Sequence, residues 1–379
     1  MSGIRPGFPR PRASRGQGWH EAPPVWDWRD CDDSRQSAPD PFAASFDCPR
    51  RGTAMNISIA MATYNGGRYL REQLDSFVRQ TRRPDELVVC DDGSTDATLD
   101  ILENFQRQAP FPVRLQRNQR NLGYVRNFEK ALSLCRGDLL FLSDQDDVWF
   151  DERLEIVEQA FLAHPEKMVV LNDQIITTEN LEPTGRSKLG NTRALGFADT
   201  YFITGCCTAI RSAWLGIALP IPEVVGHHHI PHDIWINKLA DFLDLRLIVE
   251  RPLQFYRRHG NNASHSVSSA TGRPSRLRVL ASHGLQDARE GWATQIVHAN
   301  LYLERLETSR ARLAALGADR RLEPALARLR ARIPAFERRL AIVARPRWRR
   351  SPELLRFWLA GGYRTFAGWK SALKDMVRP

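Results

Sequence analysis

The stretch MNISIAMATYNG (residues 55–66) and its sequel ELVVCDDGSTD (residues 86–96) decide the fold. Each is a short apolar run closed by a polar, turn-forming loop. Between them lies an amphipathic segment with Leu70, Leu74, Phe77 and Val78 on one face. Strand, loop and helix repeat in this order downstream, the sequence form of an α/β domain with a mostly parallel sheet and flanking helices. The pattern predicts strands over 57–62, 86–90, 113–116, 139–142 and 168–171, and helices over 68–80, 96–107, 125–134 and 151–163. Past residue 173 the alternation gives way to loops and a strand near 201–210, a segment expected to shape an acceptor site. A helix over about 234–243 and a strand over 245–249 close the domain, which is placed at 55–265.

The flanks differ in composition. Residues 1–54 are rich in Pro, Arg, Gly, Ser and Asp and show neither a period of 2 nor one of 3.6, so they are expected to be a disordered extension upstream of Met55. Residues 266–379 read as a basic amphipathic helical region. Its part from 301 onward carries 19 Lys and Arg against 7 Asp and Glu, which exceeds the net +10 of the whole chain. No apolar run reaches the length of a transmembrane helix and no signal-peptide core is visible, so a cytoplasmic protein is expected. The six cysteines, Cys31, Cys48, Cys90, Cys135, Cys206 and Cys207, show no C-x-x-C spacing and are read as reduced, with Cys206 and Cys207 buried.

The chemistry gathers at strand ends. Thr63, Tyr64 and Asn65 follow the first strand, and Asp91, Asp92 and Gly93 follow the second, where open α/β sheets bind ligands. Asp92 can accept from the N3–H of a uracil or thymine base, while Gly93 permits a tight turn and Ser94 or Asp96 caps the next helix. The alternative is a plain turn and cap. A third loop, Asp144, Gln145, Asp146 and Asp147, follows the strand over 139–142 with almost no compensating Lys or Arg nearby in sequence. Carboxylates gathered so closely repel one another without a cation, and hard oxygen ligands beside a diphosphate suit Mn²⁺ or Mg²⁺. Four histidines at 227, 228, 229 and 232 raise the question of zinc, but no cysteine or evenly spaced partner completes such a site, and a flexible acceptor-side loop is the preferred reading.

These motifs together resemble glycosyltransferase family 2 of the GT-A fold, and especially its rhamnosyltransferase-like branch. The resemblance rests on residues 62–66, 69–76, 90–96, 121–123 and 143–149 and on His232-Asp233, and it spans about 210 residues. It implies an inverting transfer of a sugar, with rhamnose as a candidate, from a UDP- or dTDP-linked donor to a glycan or lipid-linked acceptor in cell-surface polysaccharide synthesis. It further implies a divalent metal at Asp146 and Asp144, with Asp144 also able to meet the ribose. Asp233, at the start of a helix late in the domain, matches the family's catalytic base. His259 resembles a further metal or diphosphate ligand of some relatives, against an alternative in which Arg257 or Arg258 pairs with phosphate. Asn121, Gly123, Arg126 and Asn127 correspond to a helix start that faces the donor, solvated helix surface being the competing reading. The Q-x-x-R-W motif of processive members is absent, which points to one sugar per encounter.

Two rivals compete with this reading. A sugar-1-phosphate nucleotidyltransferase needs a Gly-rich basic loop after the first strand, which Thr63-Tyr64-Asn65-Gly66 is not. A nucleic-acid-binding protein fits the pI of about 9.6 but leaves the carboxylates without purpose. In the basic tail, Trp348, Phe357, Trp358, Tyr363, Phe366 and Trp369 alternate with arginines and Lys370, a mixture suited to the inner face of a membrane.

Overall fold

The computed structural model describes residues 55–379 except 225, 261, 263–265, 274, 276–287, 367 and 379. The expectation for residues 1–54 lies outside the described residues.

Strands β1 (Ile57–Thr63), β2 (Glu86–Asp91), β3 (Val113–Arg117) and β4 (Leu139–Ser143) are joined by helices α1 (Leu70–Val78), α2 (Thr98–Gln108) and α3 (Tyr124–Leu134). They pair in parallel in the order β3-β2-β1-β4. Both faces of β1, β2 and β4 are buried, which is why these strands read as continuous apolar runs without alternation. One face packs on α1, α2 and α4 (Arg153–Ala163) through Leu74, Phe77, Leu102 and Phe161, and the other on α3 through Phe128 and Leu132.

Beyond β4 the sheet becomes mixed. Strand β8 (Thr208–Arg211) runs antiparallel between β4 and β6 (Val169–Thr177). Strand β9 (Arg246–Arg257) pairs parallel with β6 and antiparallel with the two-residue β5 (Val148–Trp149), while β7 (Pro183–Ser187) edges β6. Two strands are longer than the sequence pattern predicts: β6 runs on to Thr177 and β9 to Arg257. Both extensions carry buried polar residues, which break the apolar signal but pair with one another across the sheet.

Helices α5 (Lys188–Ala194), α6 (Leu215–Ala218) and α7 (His232–Phe242) cover this half. The C-terminal region is helical as expected: α8 (Arg289–Thr308), α9 (Arg310–Ala315), α10 (Asp319–Val343), α11 (Ser351–Leu359) and α12 (Trp369–Val377). Tyr302 of α8 stacks on Trp235 of α7 at 5.0 Å, and Leu306, Leu322, Leu326 and Leu329 join the core cluster that holds Leu140 and Val169 of the sheet. Among the described residues no helix is long and apolar enough to cross a membrane.

Candidate active site

The loops after β1 and β2 are locked by their own side chains. Asp91 is fully buried; its Oδ1 accepts from the amides of Gly93 (3.2 Å) and Ser94 (2.9 Å), and its Oδ2 from the hydroxyls of Thr63 (3.0 Å) and Ser94 (2.5 Å). Asp91 therefore builds the turn, which Gly93 permits with φ of 85°. Asp96 bonds the amide of Thr98 at the start of α2 and that of Gly67, tying the two loops together. Asn65, at φ 48°, likewise bridges to Ser94 and to the Thr95 amide.

Asp92 lines the cleft with Thr63 and Tyr64. Its carboxylate accepts from Asn118 Nδ2 (2.8 Å), Leu122 N (2.8 Å) and Gly123 N (2.9 Å), so three of its roughly four acceptor positions are filled from within the chain. Its evident task is to fold the 121–123 loop, with one position left toward the cleft. Asn121 and Gly123 line the cleft. Gln145 does too, and clasps the Tyr64 backbone from both sides, accepting from N (2.9 Å) and donating to O (3.0 Å).

On α3, Asn127 faces the cleft and Arg126 does not, since adjacent helical positions point about 100° apart. The Arg126 guanidinium pairs with Glu129 (2.5 Å) and the Ile221 carbonyl (2.9 Å).

The loop after β4 brings Asp144 and Asp146 to the same cleft, which also contains Asp233. Burial, followed by the charges of Asp146 and Asp233, pushes the Asp144 carboxyl up to about 7. That mutual influence is the electrostatic sign of three carboxylates facing one space. Asp147 points inward: it is fully buried, its ordinary range is raised mainly by burial, and it accepts from Gln254 Nε2 (3.0 Å) and Arg257 N (3.2 Å). His259 Nε2 lies 2.8 Å from Asp146 Oδ2, with Tyr69 against its ring at 4.9 Å. Asn262 Nδ2 also approaches that oxygen, at 3.3 Å.

The loop has compensating cations after all, supplied from distant parts of the chain. Arg257 Nε donates to the Asp146 carbonyl (2.8 Å) and its guanidinium pairs with Glu72. Lys188 acts on Asp144 from α5. Arg153, fully buried, stacks on Trp149 at 3.7 Å and donates to Gln254 Oε1 and the Cys206 carbonyl, each at 2.6 Å. Cys206 and Cys207 are buried free thiols, as expected. Cys206 Sγ and carboxylate oxygens of Asp144 and Asp147 lie within 4.8 Å of one another, the one such potential metal-binding trio among the described residues.

Asp233 sits in the first turn of α7, where its Oδ1 accepts from Ile234 N (2.8 Å). His232 beside it is buried, stacked on Phe128 at 4.2 Å, and its imidazole is held below its ordinary range chiefly by burial. The other histidines diverge. His228 bonds Thr294 of α8 (2.8 Å), His229 bonds the Tyr124 hydroxyl (3.0 Å), and His298 reaches the His228 carbonyl (2.8 Å); the His227 side chain lies outside the described residues. This run docks the loop onto α3 and α8.

The opposite wall was not apparent from the sequence. Residues 195–205 supply part of it, and α8, α10 and α12 supply the remainder, including Trp292, Arg332 and Lys374, around a space of about 1900 Å³. Only contacts between residues far apart in sequence bring these side chains here.

A parallel half-sheet whose strand-end loops and carboxylates open on one cleft defines an α/β enzyme with its site at the carboxyl edge of the sheet. Residues 58–216 match the family described as Glycosyl transferase family 2, so the chain carries a glycosyltransferase domain of that kind. It is 29% identical over 227 residues to an uncharacterized glycosyltransferase of Nostoc sp., covering 57% of this chain and 69% of that one. It is 27% identical over 238 residues to a dTDP-rhamnosyl transferase of Shigella flexneri, covering 58% and 78%. Other relatives are matched over only about a third of their length. Among solved structures, S. aureus TarS with UDP-GlcNAc aligns with a TM-score of 0.47 at 19% identity, over 85% of this chain and 90% of that one. A sheet with a parallel half, its flanking helices and the helical C-terminal region are present, as the sequence pattern predicts.

Proposed function

We propose that the protein transfers a single sugar, with inversion, from a UDP- or dTDP-linked donor to a hydroxyl of a glycan or lipid-linked acceptor in cell-surface polysaccharide synthesis. The observation that carries this reading is the convergence of Asp144, Asp146 and Asp233 on one cleft beside the loops of Thr63, Asp92 and Gly123. The dTDP-rhamnosyl transferase relative favours dTDP-rhamnose as the first donor to try.

In this reading Asp233 accepts the proton of the acceptor hydroxyl as its oxygen bonds to the anomeric carbon and the bond to the diphosphate breaks, releasing the nucleoside diphosphate. Asp233 stands in the first turn of α7, at the positive end of the helix dipole. Oxygen donors from Asp144 and Asp146, with the His259 imidazole beside Asp146, fit Mn²⁺ or Mg²⁺. When bound, such an ion offsets the charge of the departing diphosphate. Gln145 fixes the Tyr64 backbone at the donor side, and His232, next to Asp233 in the chain, is stacked on Phe128. Exposed Trp348, Leu359 and Trp369 among arginines and lysines support peripheral contact with an anionic, cytoplasmic membrane face.

The test is a panel of nucleotide-sugars with Mn²⁺ against the wild type, Asp146→Ala and Asp233→Ala. Turnover is expected in the wild type alone; donor turnover persisting in both variants would refute the site.

A further inference from the structure

The C-terminal wall of the cleft holds an excess of positive charge. Asp375 of α12 is fully buried and accepts from Arg339 Nε (2.7 Å), Arg339 Nη2 (2.8 Å) and the Tyr363 hydroxyl (2.9 Å). That ion pair is complete in itself. Around it stand Arg378, whose Nη1 is 3.6 Å from Asp375, and Lys374 and Lys370, one helical turn apart on α12. All four cations line the same cleft as Asp144 and Asp233, and among the described residues Asp375 is the carboxylate that Arg339 and Arg378 approach. Burial first, and then the charges of Arg378 and Arg339, hold the Lys374 ammonium below its ordinary range.

The apolar surroundings are equally one-sided. Arg339 lies over the rings of Trp292 (4.1 Å) and Phe366 (4.3 Å), which close the inner side. On the outer side α12 leaves Trp369 60% and Leu373 52% exposed; both line the cleft, and Met376 and Val377 continue that exposed stripe beyond it. A helix that presents an open apolar stripe beside a basic one fits a ligand that is anionic at one end and apolar at the other.

We propose that α12 and the facing residues of α8 and α10 form a binding site for the phosphate or diphosphate of an amphiphilic acceptor, with Lys370 and Lys374 meeting the anion and Trp369 and Leu373 meeting its apolar chain. The proposal rests on the transferase reading of the cleft and specifies its acceptor: a sugar linked through phosphate to a lipid, held so that the glycan end extends toward Asp233.

Binding is measured by titrating the full chain with farnesyl diphosphate, inorganic diphosphate or farnesol, in EDTA so that no divalent ion holds diphosphate at the donor side. Tryptophan fluorescence and calorimetry are the readouts. Farnesyl diphosphate is expected to bind saturably, about tenfold or more tighter than either fragment. The affinity is expected to fall about tenfold or more in the Lys370→Glu, Lys374→Glu double variant, with an unchanged melting temperature as the control for folding, and to weaken in Trp369→Ala. Equal affinity in the charge-reversed protein, or farnesol binding as tightly as its diphosphate, would overturn the proposal. So would binding confined to phosphatidylcholine vesicles containing phosphatidylglycerol, which would assign the patch to bilayer headgroups. Asp146→Ala separates the two readings: it is expected to keep farnesyl diphosphate binding while losing sugar transfer. Retained transfer in that variant counts against the catalytic site, and lost amphiphile binding counts against the α12 site.

Discussion

Replacing Arg153 by Met tests whether the floor beneath the carboxylates is held by one buried cation. Arg153 is fully buried, lies over Trp149 at 3.7 Å, and donates at 2.6 Å to both Gln254 Oε1 and the Cys206 carbonyl. Met keeps much of the volume but leaves two buried acceptors without these donors, at about 1–3 kcal/mol each. It also removes a charge facing the buried Asp147. Together the two lost hydrogen bonds amount to about 2–6 kcal/mol. At about 2–4 °C per kcal/mol, the melting temperature should fall by roughly 10 °C. Arg153→Lys keeps the charge but cannot fork to both acceptors, so an intermediate loss is expected. Urea unfolding of the three proteins gives the free energies, and a Met variant within about 1 kcal/mol of the wild type would refute the argument.

Three further outcomes are expected. Asp233→Asn should lower kcat by about 10²- to 10⁴-fold while the Kd for nucleoside diphosphate stays unchanged; a kcat close to that of the wild type would remove Asp233 from the role of base. Mn²⁺ affinity should be flat above about pH 7 and weaken toward tenfold per unit below it, because the proton that Asp144 holds up to about 7 must leave before the carboxylate can ligate; calorimetry across pH 5.5 to 8 showing a constant Kd would exclude Asp144 as a ligand. A Cβ on Gly205 would sit 2.8 Å from His232 Nε2, so Gly205→Ala should displace the buried imidazole and the first turn of α7, costing about 1–3 kcal/mol and lowering kcat; unchanged melting and turnover would show that this packing is slack.

The parallel half of the sheet was legible because strands buried on both faces leave continuous apolar runs, as in Ile57–Thr63 and Leu139–Ser143. The motif residues likewise converged: Thr63, Asp92, Asn121, Asp144, Asp146 and Asp233 share one cleft. The lower half of β6 was illegible for a specific reason. Gln174 is a buried polar residue whose partners, Gln254, Cys206 and Cys207, lie 32 to 80 positions away, and the buried Asp173 accepts from Leu189 N, 16 positions on. No periodicity records such partners. The same holds for Arg257, which reaches Asp146 across 111 residues and supplies positive charge to a loop that looked uncompensated. Asp92 shows another limit: its residue type suited a nucleobase, and nothing in the sequence announced that the backbone amides of Leu122 and Gly123 also bind its carboxylate.

The seam between α7 and α8 bears on how specificity is inherited. Trp235 is stacked on Tyr302, and Arg305 lies over Trp235 while donating to the carbonyls of Ile217 and Pro220. The helix that carries Asp233 is thus fitted to the tail that forms the far wall. Chimeras that exchange tails between relatives at residue 265 would set a foreign surface against Trp235, whereas an exchange from about residue 212 onward would move base, seam and wall as one cassette.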